Sequence, residues 1–114
     1  MTVERRGVVV LVEIAGELEI GGIDVVRAEL GELDLAETVG IVVDLGDCTF
    51  LDSTGIGLLF HLAMRTRERR RRLAVVAPPE HHRILAMAAL ERACLLVEDR
   101  AAAFAAFEDL VATE

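Results

Sequence analysis

Asp52-Ser53-Thr54-Gly55-Ile56-Gly57 is the stretch on which the reading of this chain turns, because it sets two hydroxyls where a buried strand gives way to a helix. Upstream, Gly40-Ile41-Val42-Val43-Asp44-Leu45 is a short β-branched run bounded by Gly and Asp, the pattern of a strand buried on both faces. Downstream, Ile56, Leu59, Phe60, Ala63 and Met64 recur at helical spacing and define one apolar face of a helix running to about Arg70. Ser53 is therefore expected at or near the N-cap, its oxygen accepting from backbone N–H groups of the first turn. In purely structural terms Asp52, Ser53 and Thr54 cap a helix, and Gly55 and Gly57 relieve crowding.

Toward the N-terminus, residues 2–5 and 8–15 read as two strands joined by a tight hairpin at Arg6-Gly7. Gly16 closes the second strand, and Glu17-Leu18-Glu19 leads through Gly21-Gly22 into a helix from about Asp24 to Leu35 with Ile23, Val26, Leu30 and Leu33 on its apolar side. Gly31 costs that helix roughly 1 kcal/mol against Ala, so it marks either close helix-to-sheet packing or a helix end. Gly46-Asp47-Cys48-Thr49-Phe50 reads as a linker into the central corner.

Toward the C-terminus, Leu73-Ala74-Val75-Val76-Ala77 is a buried strand ended by Pro78-Pro79, and a helix over 80–89 places Ile84, Leu85 and Ala88 on one face. Leu95-Leu96-Val97 makes the last strand. Glu98-Asp99 then precedes an alanine-rich helix over 100–112, whose Phe104, Phe107 and Val111 share a stripe. Strands alternating with helices predict an α/β layer structure with right-handed crossovers, its parallel part formed by 41–45, 73–77 and 94–97. At 114 residues the expectation is one domain with a core of its own.

Hydrophobic residues make up 54% of the chain, with no Trp or Tyr, so the core is aliphatic and aromatic stacking on nucleic-acid bases is poorly supported. A formal charge of −8 argues against a phosphate-backbone binder and favours basic protein partners. All twelve cations are arginine, which removes every lysine-dependent mechanism, from Schiff bases to P-loops. Cys48 and Cys94 match no metal-ligand spacing; Cys94 reads as a buried small hydrophobe, Cys48 has a minor redox option beside Ser53, and a reducing cytoplasm is the simpler setting. Val8 to Val12 is too short for a membrane span or a signal segment.

The cations are polarised. Arg65, Arg67, Arg69, Arg70, Arg71 and Arg72, opposed only by Glu68, give residues 65–72 a net +5, so the rest of the −8 chain sums to −13. A solvated helix C-terminus complementing the dipole is the preferred reading; a partner-docking patch comes second and a nucleic-acid arm third.

Nucleophilic catalysis at Ser53 needs a base within hydrogen-bond reach. His61 lies about two turns further along the same helix, roughly 12 Å away. His81 and His82 belong to a different helix and are read as surface or helix-flanking. No Gly-x-Ser-x-Gly elbow is present. A carboxylate dyad has no second copy, and a phospho-aspartate receiver lacks its lysine. Ser53 reads better as a substrate: an exposed hydroxyl at a helix N-terminus tolerates phosphate, while the added charge of about −1.5 to −2 beside Asp52 would disrupt a desolvated interface.

The run Phe50-Leu51-Asp52-Ser53-Thr54-Gly55-Ile56-Gly57-Leu58-Leu59 resembles the signature of the STAS family, the anti-sigma factor antagonists and their relatives. Gly16-Glu17-Leu18-Glu19 resembles that family's Gly-x-Leu-Asp turn, with Glu19 departing from the family's Asp, and the resemblance spans nearly the whole chain. It implies a single STAS domain over 1–114: an α/β fold with a mixed β-sheet of four to five strands packed with about four α-helices. It implies a binding protein rather than an enzyme, needing no cofactor or metal. Its unphosphorylated form would bind an anti-sigma factor that is also a serine kinase and so free the sigma factor. Phosphorylation at Ser53, with Thr54 as fallback, would abolish binding, and a PP2C-type phosphatase would restore it.

The implied partner-binding residues are Glu17, Glu19, Gly21, Gly22, Asp52, Ser53, Thr54, Gly55 and Gly57, with the two motif glycines allowing close backbone approach. The alternative is a constitutive STAS adaptor in a larger signalling or lipid-transport assembly, not phospho-switched. A nucleotide-binding regulatory domain ranks third, since no Walker-type loop is present. The acidic surface and the arginine run could also pair two copies into a homodimer, although surface ion pairs contribute little.

Overall fold

A computed structural model describes residues 1–18 and 23–112 of the chain. Strands β1 (Thr2–Arg6) and β2 (Val9–Glu13) form the expected hairpin, closed at Gly7 in a left-handed conformation with φ 60°. A short β3 (Gly16–Leu18) precedes α1 (Ile23–Gly31), followed by β4 (Gly40–Asp44), β5 (Cys48–Leu51) and α2 (Ser53–Glu68). Then come β6 (Arg72–Val76), α3 (Pro79–Met87), a 3₁₀ turn (Leu90–Arg92), β7 (Leu95–Val97) and α4 (Arg100–Ala112). The main sheet runs β1-β2-β4-β6-β7, with β1 antiparallel to β2 and the other neighbours parallel. This is the mixed five-stranded α/β architecture expected.

Strand alternation divides the core. Val10, Val12, Ile41, Val43, Leu73 and Val75 face the side covered by α1, α2 and α3, where Ile23, Leu30, Leu58, Leu59, Leu62 and Leu85 are buried. Val9, Leu11, Val42, Ala74 and Val76 face the other side, covered by Ala103 and Phe107 of α4. Each fully buried Leu or Val contributes roughly 1.5–3 kcal/mol, so a mainly aliphatic core, with Phe107 on the α4 side, holds the layers together. Gly40 opens β4 because a Cβ there would lie 2.3 Å from the Arg72 carbonyl oxygen and 2.6 Å from the Phe107 ring.

Four expectations are corrected. The stretch 46–50 is not a linker: Cys48–Leu51 is a strand pairing in parallel with Gly16–Leu18 in a second, two-stranded sheet. A four-residue strand paired with one of three has too short a period to announce itself in sequence. The buried face of α2 centres on Leu58, Leu59, Leu62, Ala63 and Thr66, leaving Met64 62% exposed. α3 buries His81 and Leu85 while Ile84 and Ala88 face outward. Finally, α1 stops at Gly31 and not at Leu35, and open space where a Cβ would sit makes Gly31 a helix end rather than a packing contact. Ala103 and Phe107 carry the buried stripe of α4, Phe104 is half-buried, and the side chain at Val111 lies outside the described residues.

Candidate functional site

The N-cap falls one residue earlier than Ser53. Asp52 is the N-cap, extended at φ −108° and ψ −174°, and its Oδ1 accepts from the backbone N–H of Thr54 at 2.9 Å and of Gly55 at 3.1 Å. The Ile56 N–H closes the first turn on the Asp52 carbonyl at 3.0 Å. A carboxylate outcompetes a neutral hydroxyl for this place because its charge also complements the dipole. Ser53 is thereby released from capping and stands exposed at the first helical position, while Thr54 is half-buried and Gly55 buried. Of the two hydroxyls, Ser53 is the accessible one.

The two-stranded sheet brings the other predicted segment to this corner. Glu17 pairs in register with Phe50 and Leu18 with Leu51, so the turn at Gly16–Leu18 runs beside the strand that feeds Asp52. Glu17 is exposed, and Glu19, Gly21 and Gly22 lie outside the described residues. Phe50, 46% exposed, adds an aromatic face beside the corner; it opens the quoted motif run but is absent from the implied partner-binding residues. Gly57 is exposed with open space around it, and no packing requirement among the described residues explains the missing side chain.

Behind the corner, buried His81 donates from Nε2 to the Cys48 carbonyl at 2.7 Å, tying α3 to β5. This corrects the placement of that histidine on the surface; its burial follows from the i, i+4 pairing with Leu85. The Cys48 thiol donates to the Phe50 carbonyl at 3.2 Å, again within β5. Arg100, at the start of α4, binds the Asp44 carboxylate at 2.6 Å and 2.9 Å and Glu13 at 3.0 Å. Glu13 and Asp44 are register partners on β2 and β4, so the arginine neutralises two adjacent carboxylates at the ends of those strands. These hydrogen bonds, to Asp44 first and then Glu13, raise the guanidinium above its ordinary pKa.

Cys94 is remote from this site. Burial first, and the nearby Glu91 carboxylate second, push its thiol up to about 12, so it stays protonated and unreactive at neutral pH. Among the described residues no cluster of His, Cys, Asp or Glu is placed to hold a metal ion, and no helix is long and apolar enough to cross a membrane.

Residues 1–98 match a family model described as "Mlab, STAS domain". No curated relative matches the sequence significantly. Among solved structures, the chain resembles an anti-sigma factor antagonist from Mycobacterium paratuberculosis at 22% identity and TM-score 0.84, covering 94% of this chain and 92% of that one. It resembles the Bacillus cell fate determinant SpoIIAA in its phosphorylated form at 18% identity and TM-score 0.68, covering 92% and 97% respectively. The unphosphorylated form of the anti-sigma factor antagonist SpoIIAA gives 17% identity, TM-score 0.66 and coverages of 86% and 87%. At these identities the likeness is one of fold.

Proposed function

Because the chain belongs to the STAS domain family, we propose that it is a single STAS domain over 1–114 acting as a cytoplasmic anti-sigma factor antagonist with Ser53 as its phosphoacceptor. In this reading it is a binding protein, not an enzyme. The unphosphorylated corner, with Glu17, Phe50, Ser53 and Gly57 on its surface, docks on an anti-sigma factor that is also a serine kinase, and the sigma factor is freed. The kinase transfers the γ-phosphoryl group of ATP to Ser53 Oγ, ADP leaves, and the complex separates; a PP2C-type phosphatase returns the hydroxyl by hydrolysis.

The observation that carries this reading is that Asp52 caps α2 in place of Ser53. The Thr54 and Gly55 N–H groups that would otherwise greet a phosphate are held by the Asp52 carboxylate. A phosphoryl charge of about −1.5 to −2 at Ser53 therefore meets a carboxylate neighbour and faces outward. The domain can keep its cap while the interface meets the repulsion.

The test is affinity capture from the native cytoplasm with wild type, Ser53→Ala and Ser53→Asp as baits, with bound proteins identified by mass spectrometry. An ATP-dependent kinase retained by the first two and lost with the third is the expected result. Equal recovery by all three would overturn the switch. A second reading is favoured by one observation: the matching family model carries the Mlab description rather than an anti-sigma one. In that reading the chain is a constitutive adaptor of a larger signalling or lipid-transport assembly, recovered unphosphorylated and always in stoichiometric company.

A further inference from the structure

The far end of α2 lies roughly 24 Å along the helix axis from Ser53 and borders a cleft of about 660 Å³. Arg67 of α2, Arg70 and Arg71 just beyond it, Arg72 of β6 and Arg92 of the 3₁₀ turn line this cleft together with apolar Leu73 and Phe107. Glu91 is the one acid among the described lining residues. A second hollow of about 500 Å³ adjoins the same Arg70, Arg71 and Arg72, with Glu37 as its acid.

Arg71 is committed to the fold, donating from Nε to the Leu35 carbonyl at 3.2 Å and from its guanidinium to the Arg69 carbonyl at 3.0 Å. Arg67, Arg70, Arg72 and Arg92 have no carboxylate within 4.0 Å among the described residues, although Arg6, Arg27 and Arg100 all do. The helix dipole accounts for cations at the end of α2, but not for Arg72 or Arg92, which arrive from other elements. The backbone at this end is also unusual, as it is at Glu37 and Ala89. Arg70 sits in the left-handed region at φ 59°, the position after a helix end where glycine is strain-free. The chain holds a guanidinium there against that preference.

We propose that this cleft binds a compact, phosphate-bearing anion free in solution. Guanidinium forks match phosphate oxygens bidentately, and the volume falls in the small-ligand range. The alternatives fit less well. Phe107 is buried and offers no face for stacking a base. The remaining negative charge repels extended polyanions, and a concave wall suits a small anion better than a bilayer surface. The proposal does not rest on the switch at Ser53.

The experiment is titration of the full chain with pyrophosphate at low ionic strength, followed by calorimetry and by the arginine side-chain signals in NMR. One-site binding that weakens with added salt is expected, with Arg67→Gln and Arg92→Gln each weakening it about tenfold and Arg83→Gln, on the outside of α3, leaving it unchanged. Arg70→Gly separates binding from folding: it should weaken pyrophosphate binding about tenfold while raising Tm. Absence of binding at millimolar pyrophosphate, or equal binding by wild type and the Arg67→Gln/Arg92→Gln double variant, would overturn the proposal. So would co-sedimentation with phosphatidylglycerol vesicles without pyrophosphate binding, which would assign the arginines to a membrane surface.

Discussion

At its N-terminus α2 is closed by Asp52, whose carboxylate takes two first-turn N–H groups from an unstrained extended backbone, whereas at its C-terminus it is closed by Arg70 in a left-handed conformation. The second closure still satisfies hydrogen bonds, with the Arg71 N–H on the Thr66 carbonyl at 2.7 Å and the Arg70 N–H on the Arg67 carbonyl at 2.9 Å. Both ends suit the helix dipole in sign. They differ in what they leave over. The acidic end spares a hydroxyl and holds it in solvent; the basic end gathers guanidinium groups for which the described residues supply few acids. One helix thus carries two chemically opposite surfaces, and variants at either end can show whether they act separately.

The largest effect is expected at the acidic end. Ser53→Asp should weaken capture of the proposed partner kinase by about a hundredfold, corresponding to roughly 3 kcal/mol, while Tm changes little, because Asp52 and not Ser53 supplies the cap. Surface plasmon resonance against the captured kinase, paired with thermal melting, measures both. A large drop in Tm would mean that Ser53 helps to hold the fold, and the contrast between the ends would lose its basis.

The next effect belongs to the basic end, where Cys94 lines the arginine cleft. Its thiol is raised from 9.0 to about 12 in the folded protein. Between those values the unfolded chain has lost the proton and the native chain still holds it, so stability is unaffected by this group below pH 9 and falls as pH rises toward 12. The slope approaches about 1.4 kcal/mol per pH unit. The chain contains no Lys and no Tyr, so few other groups titrate in that window. Urea unfolding at stepped alkaline pH should show the decline in wild type and a shallower one in Cys94→Ala; identical profiles would refute the assignment.

The contrast between the ends explains what the sequence could and could not disclose. The strands at Gly40–Asp44, Arg72–Val76 and Leu95–Val97 were legible because β-branched and aliphatic runs between polar boundaries have few other stable arrangements. The corner at Asp52 was legible because hydroxyls and glycines at a strand-to-helix junction are unusual chemistry in an aliphatic chain. The identity of the cap was not, since Asp52 and Ser53 are both good caps and the choice depends on one residue of helix register. The pairing of Glu17 with Phe50 was hidden because short parallel strands are fixed by tertiary packing rather than by their own pattern. His81 was misplaced for the same reason: a polar residue on an inward face is stable only through a partner, here the Cys48 carbonyl, that the sequence does not reveal. The cleft needed Arg92 to approach from 20 positions beyond Arg72.

Smaller effects separate the two closures thermodynamically. Asp52→Ala removes the acceptor for the Thr54 and Gly55 N–H groups and should cost about 1 kcal/mol. Arg70→Gly should act in the opposite direction, gaining about 1 kcal/mol by relieving the left-handed backbone. Denaturant midpoints of the two variants, measured side by side, are expected to straddle wild type. If Arg70→Gly is also destabilising, the guanidinium makes a contact that offsets its strain, and the basic end would be structural rather than reserved for a ligand.

The smallest change tests whether the acidic end is shaped for approach. Gly57 lies within α2, exposed, with no described residue within 4 Å of where a Cβ would be. Alanine there should raise helix stability by about 0.5–1 kcal/mol, since glycine is among the poorest helix formers and no packing opposes the added methyl. A residue that costs the isolated fold and meets nothing among the described residues fits the proposed docking surface, where a partner's backbone would come close. If the proposed function holds, Gly57→Ala is expected to melt higher than wild type yet bind the proposed partner kinase several-fold more weakly. Higher stability with unchanged binding would remove Gly57 from the interface and confine the docking surface to Ser53, Phe50 and the Glu17 strand.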